Sequence, residues 1–496
     1  MFVIAAAGVW ASGCARRASP PVPVTMRIGV GAPPRGVRGS GASGVINALM
    51  SETWLTGRPD GRQSERLVSD WSWDKSRTVL HLKLRSDVYF HDGTKLTPEI
   101  AAEALRGSVK NARDEAALSF LSITSVSVSG SDGLEVRLSE PNSFVLPDLS
   151  LVALRKPGSP NIGTGSFKLA RRDGQQAVLT AFQQYYRGHP ALNEIDVVPY
   201  PTQRNAWAAL MRGEVDMLYE VSRDAAEFVN AESTVRTYTF SRPYYIPLVF
   251  NVRHPILKKA EVRTAINEAL DRATLVHEGL NDRGRPADGP IWPEHWAQPQ
   301  SRPQFVFDPD AARHRLDSAG LTGTRNGTAG MPSRFSFTCL VFADDSRYER
   351  LAVLVQKQLA DVGIDMKLVP LKQPELEARL RSGDFDAFLF EMFGRSLSWV
   401  YEFWHYHEGA LMNTGYRSVD GVLDQIRAAR SDDDVRAGVA EFARIIHQDP
   451  PAAFLAWQTT TRAVSTKFDV EAEENRDILI TAWQWRPATS GKQAAR

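Results

Sequence analysis

The chain has very few cysteines: Cys14 and Cys339 are the two in 496 residues. So small a number excludes a disulfide framework and any cysteine-rich metal site. Cys339 lies in the strand-like apolar run 335–342, and a free cysteine in such a run commonly behaves as a small buried hydrophobic residue. We therefore expect Cys339 in the core, whereas Cys14 needs a separate explanation.

An excess of charge of one sign is also missing, because 59 Lys and Arg residues balance 58 Asp and Glu residues. Without a global electrostatic field, nucleic acid is not expected as a partner. After residue 13 no apolar run approaches the length of a membrane span. We therefore expect a soluble body, with a length sufficient for two or three domains.

Familiar catalytic motifs are absent, since the sequence has neither a G-x-S-x-G elbow nor an H-E-x-x-H helix. Residues 39–44 formally match the dinucleotide motif G-x-G-x-x-G. However, Pro33, Pro34 and a further loop separate these glycines from the strand-like residues 26–30, which spoils the tight turn that a pyrophosphate requires. The sequence therefore predicts a protein that is not an enzyme and that binds no cofactor.

The N-terminus has the layout of a signal peptide. A short apolar stretch ends in the small residues 11–13, and Cys14 follows directly. This resembles a bacterial lipoprotein signal, which implies export, lipid attachment at Cys14 and membrane anchoring, with 1–25 as signal and tether. Ala11 stands where such signals usually have leucine, and no basic residue precedes it, so an uncleaved apolar N-terminus is the alternative.

An internal repeat is present in the rest of the chain, which mixes strand and helix patterns. Residues 206–219 and 374–390 each read as a helix, a capping glycine, a turn acid and a buried strand, with Gly213 and Gly383 as the caps. A further helix is predicted to begin after Thr97, a capping residue followed by proline. The repeat predicts two similar α/β lobes.

The carboxyl ends of the two repeated strands are the expected ligand positions in open α/β sheets. They correspond to Tyr219 and Glu220 in one lobe and to residues 391–393 in the other. The Gly-acid turns themselves are interpreted as helix ends. Two such lobes that face each other would form a cleft.

Several long segments in one order resemble the peptide/nickel family of extracellular solute-binding proteins, the receptors of oligopeptide-type ABC importers. The segments are ERLVSDWSWDKSRTVLHLKLRSDVYFHDGTKLTPE (65–99), NIGTGSFKLARRDG (161–174), FNVRHPILKKAEVRTAINEALDR (250–272), FDPDAARHRLDSAGL (307–321), YERLAVLVQKQLADVGIDMKLVPL (348–371) and RSGDFDAFLF (381–390). The HDGT turn and GTG strand of the family are chiefly structural. His91, Asp92, Gly163 and Gly165 are therefore not expected to contact a ligand.

The resemblance implies an α/β, periplasmic-binding-protein-like fold of two lobes with a hinge and an extra N-terminal subdomain. Lobe one would comprise 26–50, 158–247 and 460–490, the inserted subdomain 51–157, and lobe two 248–459. The implied function is capture of a peptide-like or other small solute between the lobes of a monomer, for delivery to an ABC permease from the periplasm or cell surface. A metal or metal-chelate receptor and a sensory receptor are the alternatives.

Peptide binders of this family commonly follow the lobe-two strand with G-W-x-x-D, whose acid pairs with the peptide ammonium. Here the residues are Glu391, Met392, Phe393, Gly394 and Arg395, so an arginine replaces that acid. A guanidinium disfavours ammonium and makes paired hydrogen bonds to carboxylate or phosphate. We predict Glu391, Met392 and Arg395 as ligand-binding residues; a solvent-facing Arg395, or one paired with Glu391, is the alternative.

The following stretch, residues 397–407, is unusually aromatic. Aromatic walls suit a largely apolar ligand pocket, so Trp399, Phe403 and Trp404 are further predicted ligand contacts. Tyr244 and Tyr245, before the hinge-like residues 246–248, are candidates of the same kind. Core packing is the alternative for these rings.

His405 and His407 in the same stretch, with Glu402 or Glu408, could ligate a metal ion. Alternate histidines in an aromatic segment are more often structural. The sequence therefore predicts no metal site.

Overall fold

The computed structural model describes residues 24–31, 41–113, 117–159, 161–221, 225–322, 325–326, 332–407 and 412–489. Cys14, with most of the predicted signal and tether, lies outside these residues, as does Gly39 of the glycine motif. Within them, no helix is both long enough and apolar enough to cross a membrane.

Strands and helices are interspersed along the chain. In chain order they are β1 (Thr25–Gly31), β2 (Glu52–Thr53), β3 (Thr56–Gly57), β4 (Gln63–Ser64), β5 (Val68–Trp73), β6 (Val79–Leu84), β7 (Ile123–Ser129), β8 (Gly133–Leu138), β9 (Ala153–Leu154), β10 (Phe167–Asp173), β11 (Gln176–Ala181), β12 (Glu194–Tyr200), β13 (Met217–Leu218), β14 (Val235–Phe250), β15 (Gly284–Pro286), β16 (Arg325–Asn326), β17 (Pro332–Ser333), β18 (Phe335–Phe342), β19 (Ile364–Leu371), β20 (Ala387–Leu389), β21 (Met392–Phe393), β22 (Ala452–Ser465), β23 (Phe468–Asp469) and β24 (Arg486–Pro487).

Some helices begin or end at capping residues that the sequence supplies. Thr97 accepts a hydrogen bond from the amide of Ile100 at the start of α2, as predicted, and Gly383 ends α10 with φ of 75°. The helices are α1 (Gly41–Met50), α2 (Pro98–Lys110), α3 (Val145–Asp148), α4 (Gln203–Met211), α5 (Ala226–Ala231), α6 (Ala260–Glu268), α7 (Arg272–Thr274), α8 (Pro309–Ser318), α9 (Ser346–Asp361), α10 (Gln373–Ser382), α11 (Leu397–Trp404), α12 (Asp420–Arg427) and α13 (Asp432–Gln448), with short 3₁₀ turns at Leu118–Ser122 and Ile478–Gln484 and a π turn at Leu275–Gly279.

One large mixed sheet runs through the molecule in the order β10-β11-β12-β1-β13-β22-β14-β20-β18-β19, with β15 beside β22 and β21 beside β14. Its two longest strands, β14 and β22, pair antiparallel over nearly their whole length. The register of this pair is irregular between Ser241 and Tyr245 and again between Ile246 and Pro247. These two strands therefore join one half of the sheet, built on β1 and β13, to the other half, built on β18 and β20.

Separate apolar cores cover the two halves. One core is formed mainly by residues of 26–50, 167–197 and 464–485, with a smaller core around α4 and β13 beside it. A second lies within residues 54–154, on the four-stranded sheet β5-β6-β8-β7. The largest is formed by residues between 245 and 457, together with Phe144. The boundaries given above for the lobes and the inserted subdomain stay predictions.

The internal repeat has the same structural role in both halves. β13 pairs parallel with β1, and β20 pairs parallel with β18. Asp216, before β13, accepts a hydrogen bond from the amide of Arg27 at 2.9 Å, and Asp386, before β20, accepts one from the amide of Thr338 at 2.8 Å. Asp216 and Asp386 therefore each satisfy a backbone donor of the neighbouring parallel strand. The two turns thus connect neighbouring strands in addition to ending a helix.

The two glycines of the GTG segment, Gly163 and Gly165, lie too close to the backbone of residues 49–51 to carry side chains. A Cβ atom at Gly163 would lie 2.0 Å from the carbonyl oxygen of Met50, and His91 donates from Nε2 to the carbonyl of Gly165 at 2.9 Å. These contacts give His91, Gly163 and Gly165 a role in packing the chain together. Cys339 is fully buried in β18, which confirms its predicted place in the core.

Candidate functional site

A cavity of about 310 Å³ opens between the two halves of the large sheet. It lies beyond the carboxyl ends of the parallel strands β1 and β13, so that Tyr219 and Glu220 line it where the sequence placed them. The lining residues come from both halves and from the chain between them: Gly31, Gly41, Pro59, Tyr219, Glu220, Phe240, Ser241, Arg242, Pro243, Tyr244, Trp292, Arg395, Thr460, Arg462, Asn475, Arg476, Asp477 and Ile480.

Arg395 reaches this cavity from the loop after β21 and is half-buried. Its Nη2 atom donates to the carbonyl oxygens of Gly57 and Arg58, both at 3.0 Å. It neither faces open solvent nor pairs with Glu391, the two alternatives left by the sequence. Burial, followed by the nearby positive charge of Arg476, lowers the pKa of the Arg395 guanidinium to about 10.

Arg476 approaches the same point from the C-terminal part of the chain. Its Nη2 atom donates to the carbonyl oxygen of Gly57 at 3.2 Å and to the hydroxyl of Thr56 at 3.2 Å. Its other terminal nitrogen pairs with Glu473. Two guanidinium groups therefore converge on one carbonyl oxygen, that of Gly57, at the edge of the cavity.

Two further arginines line the cavity with acidic partners. Arg462 pairs with Asp477 at 2.7 Å and stacks over the ring of Tyr219, with 3.8 Å between the guanidinium carbon and the ring centroid. Arg242 lies 4.0 Å from Glu391. The cavity wall thus combines arginine side chains with aromatic rings.

Glu391 does not line the cavity. It is 8% exposed and accepts a hydrogen bond from Nε2 of Gln458 at 2.7 Å, so it lies behind Arg242 as a buried partner. Its contact with Arg242 places negative charge behind the cavity wall, not on its surface.

Tyr245, Met392 and Trp404 lie in the largest core, at 0%, 4% and 3% exposure. The indole nitrogen of Trp404 donates to the hydroxyl of Tyr245 at 3.0 Å, and burial raises the pKa of this tyrosine well above its ordinary value. In this conformation none of the three lines the cavity, because the alternating strand pattern turns Tyr244 outward and Tyr245 inward. The structure gives them a packing role behind the wall.

A row of rings runs from the cavity into the neighbouring helix α11. Tyr244 packs edge-on against Phe393 with centroids 5.4 Å apart, Phe393 against Trp399 at 5.5 Å, and Trp399 against Phe403 at 5.3 Å. Trp399 itself lines a second cavity of about 510 Å³, which Arg113 and residues of 118–144 form together with α11. Trp399 and Phe403 therefore lie behind Phe393 and do not line the first cavity.

The histidines after α11 make ordinary side-chain contacts. His405 stacks on Tyr401 with centroids 4.4 Å apart and lies 3.4 Å from Asp424, and Nε2 of His407 lies 3.7 Å from Glu402. Within the part of the chain that the structure describes, no group of three His, Cys, Asp or Glu side chains is arranged to hold a metal ion.

The model of the bacterial extracellular solute-binding proteins, family 5 Middle, matches residues 63–410. The chain belongs to this family. Among relatives, the oligopeptide-binding protein AppA of Bacillus subtilis is 26% identical over 341 residues, which is 65% of this chain and 62% of AppA. The nickel-binding periplasmic protein of Escherichia coli is 24% identical over 377 residues, 70% of each chain.

Solved structures of binding proteins have the same fold. NikA from Brucella suis, in complex with Fe(III)-EDTA, superposes with a TM-score of 0.80 at 21% identity and covers 94% of this chain and 100% of NikA. The chain therefore has the mixed α/β fold of the periplasmic binding proteins, as the sequence predicted. By sequence, the chain matches less than two thirds of the length of AppA.

Several lining residues of this family 5 protein were missed by sequence reasoning, above all Arg242, Trp292, Arg462 and Arg476. Arg462 had a detectable signal in the sequence, because it is a charged residue in the otherwise uncharged strand β22. In the structure it is 4% exposed. Arg476 had none: it lies 81 residues after Arg395 in an exposed-looking polar segment, and only the chain's return to the first half of the sheet brings the two together.

Proposed function

We propose that this family 5 protein captures a peptide-like or other small solute in the cavity between its two lobes and delivers it to the permease of an ABC importer. The observation that carries the proposal is the convergence of side chains from both halves of the sheet on one cavity beyond the strand ends. A site of this kind binds by enclosing its ligand. The protein then acts by binding and not by catalysis.

The long strands β14 and β22 would serve as the hinge in this proposal. Their register irregularities fall at residues 241–247, directly beside the cavity-lining Arg242 and Tyr244. A solute that contacts both halves stabilises the closed arrangement, because its binding free energy is larger there than in the open one. In the predicted division, residues 248–459 would move relative to 26–50, 158–247 and 460–490.

Export follows from the same proposal. The family name describes extracellular proteins, and the N-terminal sequence offers Cys14 as a lipid-attachment site. We propose that the mature protein is a monomer held at the outer face of the membrane by this lipid, where the solute and the permease are both accessible.

The test is a thermal-shift screen of the purified chain against peptides, organic acids, sugars and chelated metals. A solute that binds only the folded state must raise the melting temperature. Small-angle scattering with each solute of the screen should show a smaller radius of gyration wherever the cleft closes. A hit without compaction would contradict the hinge, and the absence of any hit together with an unchanged radius of gyration would contradict solute capture itself.

A further inference from the structure

Arg395 and Arg476 bring two positive charges to one point of the cavity edge. Both donate to the carbonyl oxygen of Gly57, at 3.0 and 3.2 Å, although one arginine follows β21 in the second half of the sheet and the other lies in the C-terminal segment beside the first. One carbonyl oxygen carries only a partial negative charge. Two full positive charges held this close repel each other, since the surrounding protein screens them less than water does.

The carboxylates nearby do not compensate both charges. Arg476 has Glu473, but no carboxylate of the described residues lies within 4.0 Å of the Arg395 guanidinium. Of the two acids on the cavity wall, Asp477 is held by Arg462, and in the part of the chain that the structure describes Glu220 forms no ion pair with Arg395 or Arg476. A half-buried cation without an opposite charge is costly, because burial removes part of its hydration. The lowered pKa of Arg395 agrees with this reading of the geometry.

We propose that Arg395 and Arg476 form an oxyanion-binding site, and that the captured solute is a small organic acid bearing a carboxylate or phosphate group. Guanidinium groups make charge-assisted, often bidentate hydrogen bonds with these groups. The inference rests on the proposed function, since it names the class of solute for the same cavity.

The aromatic part of the cavity wall indicates what the non-anionic part of the solute is like. Tyr219, Phe240, Tyr244 and Trp292 line the same cavity, and Arg462 covers one face of Tyr219. Rings of this kind pack against flat or apolar groups. The solute class is therefore an acid whose anionic end reaches Arg395 and Arg476 and whose apolar or ring-bearing body lies between the aromatic side chains.

The site also gives the anion a role in closure. Arg395 belongs to the half of the sheet that would move, whereas Arg476 belongs to the other half. Without an anion, their mutual repulsion opposes the closed arrangement. A bound oxyanion attracts both arginines and offsets their repulsion, so an acidic solute stabilises the closed arrangement.

The experiment measures the melting temperature and the Kd of the purified chain with phosphate and oxalate, at constant ionic strength maintained with chloride. A second series compares aromatic carboxylic acids and aromatic phosphates with the corresponding neutral amides and cationic amines. The variants are Arg395→Gln and Arg476→Gln, with Arg395→Lys as a charge-retaining version. Arg444→Gln is the matched control, because Arg444 is an exposed arginine on α13, paired with Glu441 and remote from the cavity lining.

We expect the anions, and not the amides or amines, to raise the melting temperature of the wild type and of Arg444→Gln. Each glutamine variant should weaken anion binding about 10- to 100-fold, the range for a lost charged hydrogen bond, and Arg395→Lys should weaken it less. A phosphate-only or carboxylate-only response would identify the natural oxyanion.

Equal binding of neutral and charged solutes, or anion binding unchanged in both glutamine variants, would overturn the oxyanion site and leave solute capture intact. If either glutamine variant does not fold, the lysine variant and the comparison of acid with amide on the wild type decide between these outcomes. If no solute of any charge binds or compacts the protein, the proposed function fails and the oxyanion site fails with it.

Discussion

The carboxylate of Asp148 accepts a hydrogen bond from the hydroxyl of Ser398 at 2.6 Å, which ties helix α3 to helix α11. Ser119 and Ser396 also donate to it, and its exposure is 1%. In the described residues no arginine or lysine pairs with this buried acid. Burial therefore dominates over the hydrogen bonds and raises the pKa of Asp148 to about 6.

This raised pKa predicts a specific pH dependence of stability. Because the folded protein binds the Asp148 proton more tightly than the unfolded chain does, the contribution of this group is fully present below about pH 4 and is lost as the pH rises through about 6. The loss is on the order of 3 kcal/mol in the free energy of unfolding. Urea unfolding of the wild type and Asp148→Asn between pH 4 and 8 measures it.

Asparagine does not titrate, so the variant should lack this pH-dependent loss of stability. As the pH rises, the free energy of unfolding of the wild type should therefore fall relative to that of Asp148→Asn. Asp310→Asn is the control, because that side chain is 84% exposed, and its curve should parallel the wild type. A difference between wild type and Asp148→Asn that stays constant over this pH range would contradict the prediction.

Loss of the hydroxyl group should affect the stability of the protein at Tyr245 and its solute affinity at Tyr244. Tyr245→Phe leaves the buried indole nitrogen of Trp404 without its acceptor, which costs about 1–3 kcal/mol. Tyr244 lines the cavity, so Tyr244→Phe should leave the free energy of unfolding nearly unchanged and alter solute affinity instead. Denaturant unfolding and calorimetric titration separate the two effects; equal destabilisation by both changes would argue against the assigned positions.

The turn acids before β20 provide a matched pair. Asp386 accepts hydrogen bonds from both the amide and the hydroxyl of Thr338, at 2.8 and 2.7 Å, so Asp386→Ala should destabilise the protein by about 1–3 kcal/mol. Asp384, two residues earlier, is 75% exposed and pairs with Arg379 at the surface, so Asp384→Ala should change stability by less than about 1 kcal/mol. Thermal unfolding of both variants tests the role given to the internal repeat.

Gly394 should tolerate no side chain. A Cβ atom there would lie 2.5 Å from the carbonyl oxygen of Pro290 and 2.5 Å from the ring of Trp457, so Gly394→Ala should cost at least about 1–3 kcal/mol. It should also weaken solute binding, because the adjacent Arg395 would shift. Gly107→Ala in α2 is the control: its Cβ meets no atom within 4 Å, and helix propensity predicts stabilisation by about 0.5–1 kcal/mol. Stabilisation by both changes would exclude the close packing at Gly394.

Local patterns determined much of the fold. The capping residue Thr97, the glycine after α10 and the alternating strand patterns depend on neighbours in the chain, and hydrogen bonds between near neighbours place them correctly. The repeat pointed to residues 391–393 just beyond a buried strand, and the resemblance to the peptide binders then singled out Arg395. The ends of such strands form the cavity in this fold.

Tertiary structure alone decided which side chains share the cavity. Within one aromatic run, Trp404 packs in the core whereas Trp399 lies behind Phe393. The sequence could not distinguish the two positions, because it does not reveal which face of α11 meets the sheet. Arg476 reaches Arg395 only because the chain returns to the first half of the sheet near its C-terminal end. The sequence by itself indicated the family, some of the helices and strands, and one cationic residue at the cleft. The pairing of two cations on the carbonyl of Gly57 depends on contacts between distant segments, which no local pattern encodes.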